Sequence, residues 1–170
     1  MPSSPAHRYT TTAIALHWVL AAALLGLLVF GWYMVGLPFS PAKLKYYNWH
    51  KWAGVTILLL SVLRLVWRLA HRPPALPARM AAAMPRWQHL AHHGVHHLLY
   101  ALFFAVPLGL WQLPDFVPAS PALAEAIKPW HMLTAYTLVA LAALHIAAAL
   151  KHQVIDRDGL LRRMWPGSAR

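Results

Sequence analysis

Residues 130–152 read WHMLTAYTLVALAALHIAAALKH, and this stretch decides the fold. It is apolar and long enough to cross a hydrocarbon core, which takes about 20 residues at a rise of about 1.5 Å each. Yet it carries His131 and His145 inside its ends. An uncompensated imidazole at membrane depth is costly, so each ring needs a partner or a task.

The whole chain has the same character. Its 170 residues are 59% hydrophobic and only 11% charged, too apolar for an ordinary soluble domain and too short for several. There is no cysteine, which excludes a disulfide framework, thiolate-held iron–sulfur clusters and thioether-attached haem. Twelve histidines remain as the chemical resource.

Three further apolar stretches precede the first, giving expected spans near residues 13–35, 49–69, 94–113 and 130–150. The segments between them, at 36–47, 71–87 and 114–129, are rich in proline and charge and are read as loops. Pro107 falls inside the third span, where a buried membrane helix absorbs it as a kink. The fold class is therefore all-α: an integral membrane four-helix bundle, one domain over residues 1–170.

Orientation follows from the basic residues. Arg8, Arg64, Arg68, Arg72, Arg79, Arg86, Lys151, Arg157, Arg162, Arg163 and Arg170 flank one side, and Lys43, Lys45, Lys51 and Lys128 flank the other. The excess on the first side puts both termini in the cytoplasm. The net charge of +11 reflects anchoring to anionic membrane lipid, and a chain with so little soluble surface is a poor nucleic-acid binder.

Spacing then sorts the histidines by depth. His131 and His145 are 14 residues apart, which on a helix is about 21 Å of rise and only about 40° of rotation. They face one way at opposite membrane levels. His17, a turn into the first span, shares the inner level with His145, and His50, at the mouth of the second, shares the outer level with His131. Any one of these rings is explained by a hydrogen bond to a neighbouring helix or by snorkelling to headgroups. Two matched pairs on three helices point instead to axial ligation of haem within a bundle. A zinc or copper transporter would want ligands clustered at the midplane with carboxylates or thiols, and no acidic residue lies inside any span.

The stretches HRYTTTAIALHW (7–18), NWHKWAG (48–54), WHMLTAY (130–136), ALHIAAALKH (143–152) and DRDGLLRRMWP (156–166) resemble the prokaryotic cytochrome b561 family, four-helix relatives of the membrane cytochrome b subunits of hydrogenases and formate dehydrogenases. The resemblance covers nearly the whole chain. It implies two b-type haems, with His50 and His131 as ligands on the periplasmic side and His17 and His145 on the cytoplasmic side. It also implies that His96 and His152 form a quinone site with ubiquinone as acceptor, histidine being the side chain that titrates near neutral pH. The sharpest version it implies is an oxidoreductase that returns superoxide to dioxygen while reducing ubiquinone. The alternative is a non-enzymatic anchor and electron conduit for a separate dehydrogenase or cytochrome.

Other residues admit two readings. Gly26, Gly31 and Gly54 mark either close helix packing or the approach of a flat porphyrin. Trp18, Trp32, Trp49, Trp52, Trp130, Tyr46 and Tyr47 are read first as interfacial belts. The five histidines in HLAHHGVHH (89–97) need no function at a membrane surface, His96 excepted. Lys43, Lys45 and Lys51 surround His50, with Lys128 three residues before His131. They either bind headgroups and haem carboxylates, two readings that Arg8 and the other basic residues near the helix ends also admit, or steer a small anion such as superoxide toward the outer haem, opposed only by Asp115 and Glu125.

Overall fold

The computed structural model describes residues 8–71, 73–76, 85–108 and 121–167, with the side chains of all but 86–89, 91, 92, 108, 121 and 123–125. Four α-helices carry the chain: α1 (Thr11–Gly36), α2 (Pro41–Ala70), α3 (Arg86–Leu108) and α4 (Pro121–Lys151). No strand occurs among the described residues.

Each start has a local cause. Thr10 caps α1 by accepting from the Ala13 amide at 3.2 Å, and Ser40 caps α2 by accepting from the Lys43 amide at 3.2 Å. Pro41 follows as the first residue of α2, where its missing N–H costs nothing. Helix α2 therefore begins within the expected 36–47 loop, and α4 likewise begins at Pro121 inside the expected 114–129 loop. Proline density marked helix starts there as well as stops. Pro129 and Pro107 both sit inside helices, α4 and α3 respectively.

Helices α1 and α2 and the segment Ala126–Asp156, which holds most of α4, are long and apolar enough to cross a membrane. Only 11, 17 and 6% of their most apolar stretches are buried within the chain. So much exposed hydrocarbon calls for lipid around it rather than water. Helix α3 reaches Leu108, and residues 109–113 of the expected third span lie outside the described residues. Hydroxyls within the spans are satisfied on their own helices: buried Ser61 donates to the Ile57 carbonyl at 2.7 Å and Thr137 to the Leu133 carbonyl at 2.8 Å.

Helix α1 packs along α2, α2 along α3, and α3 along α4. The core between them is small, with Ile14, Leu20, Met34, Ile57 and Leu138 buried. After α4 the chain makes a π-helical turn at His152–Asp156, then reverses through Arg157 and Gly159, whose φ values are 51° and 76°. The latter conformation favours glycine. A 3-10 turn, Leu161–Met164, follows. It is strapped to the start of α1, for Trp18 Nε1 donates to the Met164 carbonyl at 2.7 Å and an Arg8 Nη2 donates to the Trp165 carbonyl at 2.8 Å.

Candidate functional site

The structure brings the expected histidines together in two places. The rings of His50 on α2 and His131 on α4 stand 6.3 Å apart between centroids, inclined at 80°. Those of His17 on α1 and His145 on α4 stand 6.4 Å apart at 76°. All four are half-buried. Neither pair joins helices in extensive contact, since the main helical neighbour of α4 is α3. The imidazoles reach across the opening.

That geometry can be tested against haem. A metal–imidazole bond is about 2 Å and a ring centre lies about 1 Å beyond its nitrogen, so two axial imidazoles on one ion place their centroids ~6 Å apart. Both pairs meet this spacing. The outer pair is also prepared for metal: His131 Nδ1 donates to the Val106 carbonyl at 3.2 Å, which leaves Nε2 with its lone pair. His50 Nδ1 is buried with no hydrogen-bond partner, a polar atom awaiting a use. The outer pair fits the group as it stands, and the inner pair fits it in spacing.

The glycines separate. A Cβ on Gly31 would stand 3.2 Å from His50 Cε1, so Gly31 allows α1 to approach the imidazole. A Cβ on Gly54 would meet no atom within 4 Å, and close helix packing does not account for that glycine. It leaves the porphyrin reading in place.

At the inner level His96 of α3 joins the pair, its ring centroid 5.1 Å from that of His145. His152 is turned elsewhere: its Nδ1 lies 2.5 Å from Asp158 Oδ2 and 3.1 Å from Asp156 Oδ2. Asp158 is anchored in turn by the Leu160 amide at 3.0 Å. His97 Nδ1 donates to the His93 carbonyl within its own helix, and the side chains of His89 and His92 lie outside the described residues.

One residue at this level was not expected from the sequence. Arg64 of α2 donates from Nη1 to His17 Nδ1 at 2.8 Å and from Nε to the Tyr100 hydroxyl at 3.1 Å. A signal for it exists in the sequence, because Arg64 follows His50 by 14 residues, the same interval that separates His131 from His145.

The outer lysines have neighbours of their own. Lys43 Nζ donates to the carbonyls of Val35 at 3.1 Å and Leu37 at 2.6 Å, closing the end of α1. The ammonium of Lys45 lies 5.0 Å from the Trp49 ring centroid and that of Lys51 5.6 Å from Trp52. Lys128 is exposed on α4. Asp115 lies outside the described residues, as does the side chain of Glu125. Among the tryptophans assigned to interfacial belts, Trp18 also serves the C-terminal strap.

A lipid-facing helical bundle with facing histidine pairs at two levels defines a membrane protein of the haem-binding class. The family model described as prokaryotic cytochrome b561 matches residues 8–167. The chain belongs to that family, whose business is electron transfer in membranes with haem b. It is 29% identical over 174 residues to cytochrome b561 homolog 2 of Escherichia coli (strain K12), covering 92% of this chain and 90% of that one. It is likewise 29% identical over 179 residues to the probable superoxide oxidase CybB of Yersinia pestis, covering 94% and 96%. A cytochrome b562 of Cereibacter sphaeroides is 31% identical over 168 residues, with 92% and 94% covered.

Proposed function

We propose that this protein moves single electrons across the bacterial inner membrane through two b-type haems, taking them from superoxide at the periplasmic side and delivering them to ubiquinone. His50 and His131 hold the outer haem, His17 and His145 the inner one, and both termini are cytoplasmic. The observation that carries the reading is the pair of histidine separations, 6.3 and 6.4 Å, each across helices that are not in extensive contact. Haem iron with two imidazole ligands supplies reversible one-electron chemistry and no open position for a substrate.

The chain's own residues do the rest. Lys45 and Lys51 raise the local concentration of small anions at the outer end. His96 lies beside His145, where a ring nitrogen can exchange protons with a quinone headgroup, and His152 is held by Asp158 two turns further along. Two superoxide ions give two electrons and leave as dioxygen; one ubiquinone takes those electrons with two protons to become ubiquinol. The superoxide assignment is supported by the name of the Yersinia pestis relative.

Haem quantitation with reduced-minus-oxidised spectra of the purified protein tests this directly. Two low-spin haems per chain are expected. His50→Ala or His131→Ala removes or converts the outer one, and His17→Ala or His145→Ala the inner one. Four single variants that all keep two unaltered low-spin haems would overturn the ligand assignment. Reduction of the haems by superoxide in the protein alone, with no copurifying partner, separates this activity from that of an anchor serving another dehydrogenase.

A further inference from the structure

Beside His17 the fold builds a cationic cleft. The N-terminal segment, the end of α2 and the face of α3 enclose about 80 Å3, and Arg8, Arg64 and Arg68 line it together with Tyr9, Trp67 and Tyr100. No carboxylate is among its lining residues. Tyr100 organises two of the cations: its hydroxyl accepts from Arg64 Nε, and its ring lies 5.8 Å from the Arg68 guanidinium. Trp67 fixes the rim through its Nε1, which donates to Thr10 Oγ1 at 2.9 Å. Arg64 and Arg68 both lie against the Tyr100 ring in this cleft, and the planar fork of arginine matches a carboxylate.

The Arg64–His17 contact adds a second observation. A guanidinium has no acceptor, so His17 Nδ1 accepts, and in the neutral ring the proton then resides on Nε2. At the outer level the arrangement is the reverse, with His131 Nδ1 donating to a carbonyl. His17 matches that outer pattern only when Arg64 lets go. We propose that the cleft seats a carboxylate of the haem held by His17 and His145, and that Arg64 turns from His17 to that carboxylate when the haem enters. The ring proton of His17 passes from Nε2 to Nδ1 in the exchange, and no net proton is taken up or released. Arg68 and Arg8 complete the seat.

The inference rests on His17 being an inner ligand, as read above. It is tested on the haem-loaded protein with Arg64→Met and Arg68→Met, following transfer of each haem to excess apomyoglobin and the midpoint potential of each by redox titration. Loss of a charge-assisted contact corresponds to roughly a 10-fold faster release. The expected result is that acceleration at the inner haem alone, a more negative inner midpoint, and an outer haem unchanged in both respects. Arg64→Lys keeps the charge without the fork and falls between parent and Arg64→Met. Arg68 makes no contact with His17, so its variant reports on the seat even if Arg64→Met does not assemble. Parent-like release and potentials in both methionine variants would overturn the proposal, as would unchanged haem parameters accompanied by loss of copurifying anionic phospholipid, which would make the cleft a headgroup site. Two intact haems in His17→Ala would instead overturn the ligand reading beneath it.

Discussion

Gly31 of α1 lies against His50 of α2, close enough that a Cβ on the glycine would stand 3.2 Å from Cε1 and 3.7 Å from Nδ1 of the ring. Contact at the first distance forces a neighbour to give way by a few tenths of an ångström, and the neighbour here is an expected ligand. Gly31→Ala should therefore shift the outer haem's difference spectrum, and Gly31→Val should deplete that haem while the inner one stays. Gly26→Ala is the control, since a Cβ there meets no atom within 4 Å. Equal spectra for Gly31→Val and the parent would show that His50 is not held at the position where it binds iron.

The same register explains what was legible in the sequence. The interval of 14 residues between His131 and His145 was readable because both ends are histidines. His17 to Gly31 and His50 to Arg64 repeat it, but with one chemically plain end each, so the repeat shows only once α1 and α2 are packed together. Each of those helices supplies a proposed ligand at one level and a support for its neighbour's proposed ligand at the other. The helix starts at Pro41 and Pro121 were hidden for a local reason: proline ends a helix and begins one equally well, and only the capping geometry decides. The C-terminal strap depends on contacts between residues more than 140 positions apart, Trp18 with Met164 for one, and no local pattern announces those.

The two histidines assigned to the quinone differ in setting, and their variants should differ accordingly. His96 touches His145, at 5.1 Å between ring centroids. His152 comes seven residues after His145, about 10 Å further along the axis on the same face, and is bound to Asp158. Both His96→Ala and His152→Ala should slow ubiquinone reduction, by roughly 100-fold if the ring is the proton donor, in stopped-flow measurements that follow haem reoxidation. Asp158→Asn should slow it as well, because the amide no longer fixes the His152 ring as the carboxylate does. Both haems should remain low-spin throughout. Loss of the inner haem in His96→Ala would make His96 a ligand, and an unchanged rate in His152→Ala would remove that residue and Asp158 from the quinone site.

Charge at the outer end separates capping from steering. Lys43 is committed to the carbonyls that end α1, so replacing it disturbs the α1–α2 turn whatever else it does. Lys45 and Lys51 lie over tryptophan rings, where their charge still acts outward. A positive field of this kind raises the encounter rate of a small anion by about 10-fold or more and is screened over ~8 Å at physiological salt. Lys45→Gln with Lys51→Gln should therefore lower the second-order rate of haem reduction by superoxide and flatten its dependence on ionic strength, with both haem spectra unchanged. Lys43→Gln should lower thermal stability in addition, by about 1 kcal/mol for the lost capping bonds. Unaltered rate and salt slope in the double variant would exclude steering by these lysines. Superoxide that fails to reduce the parent protein would remove the superoxide assignment and leave electron conduction for a separate donor.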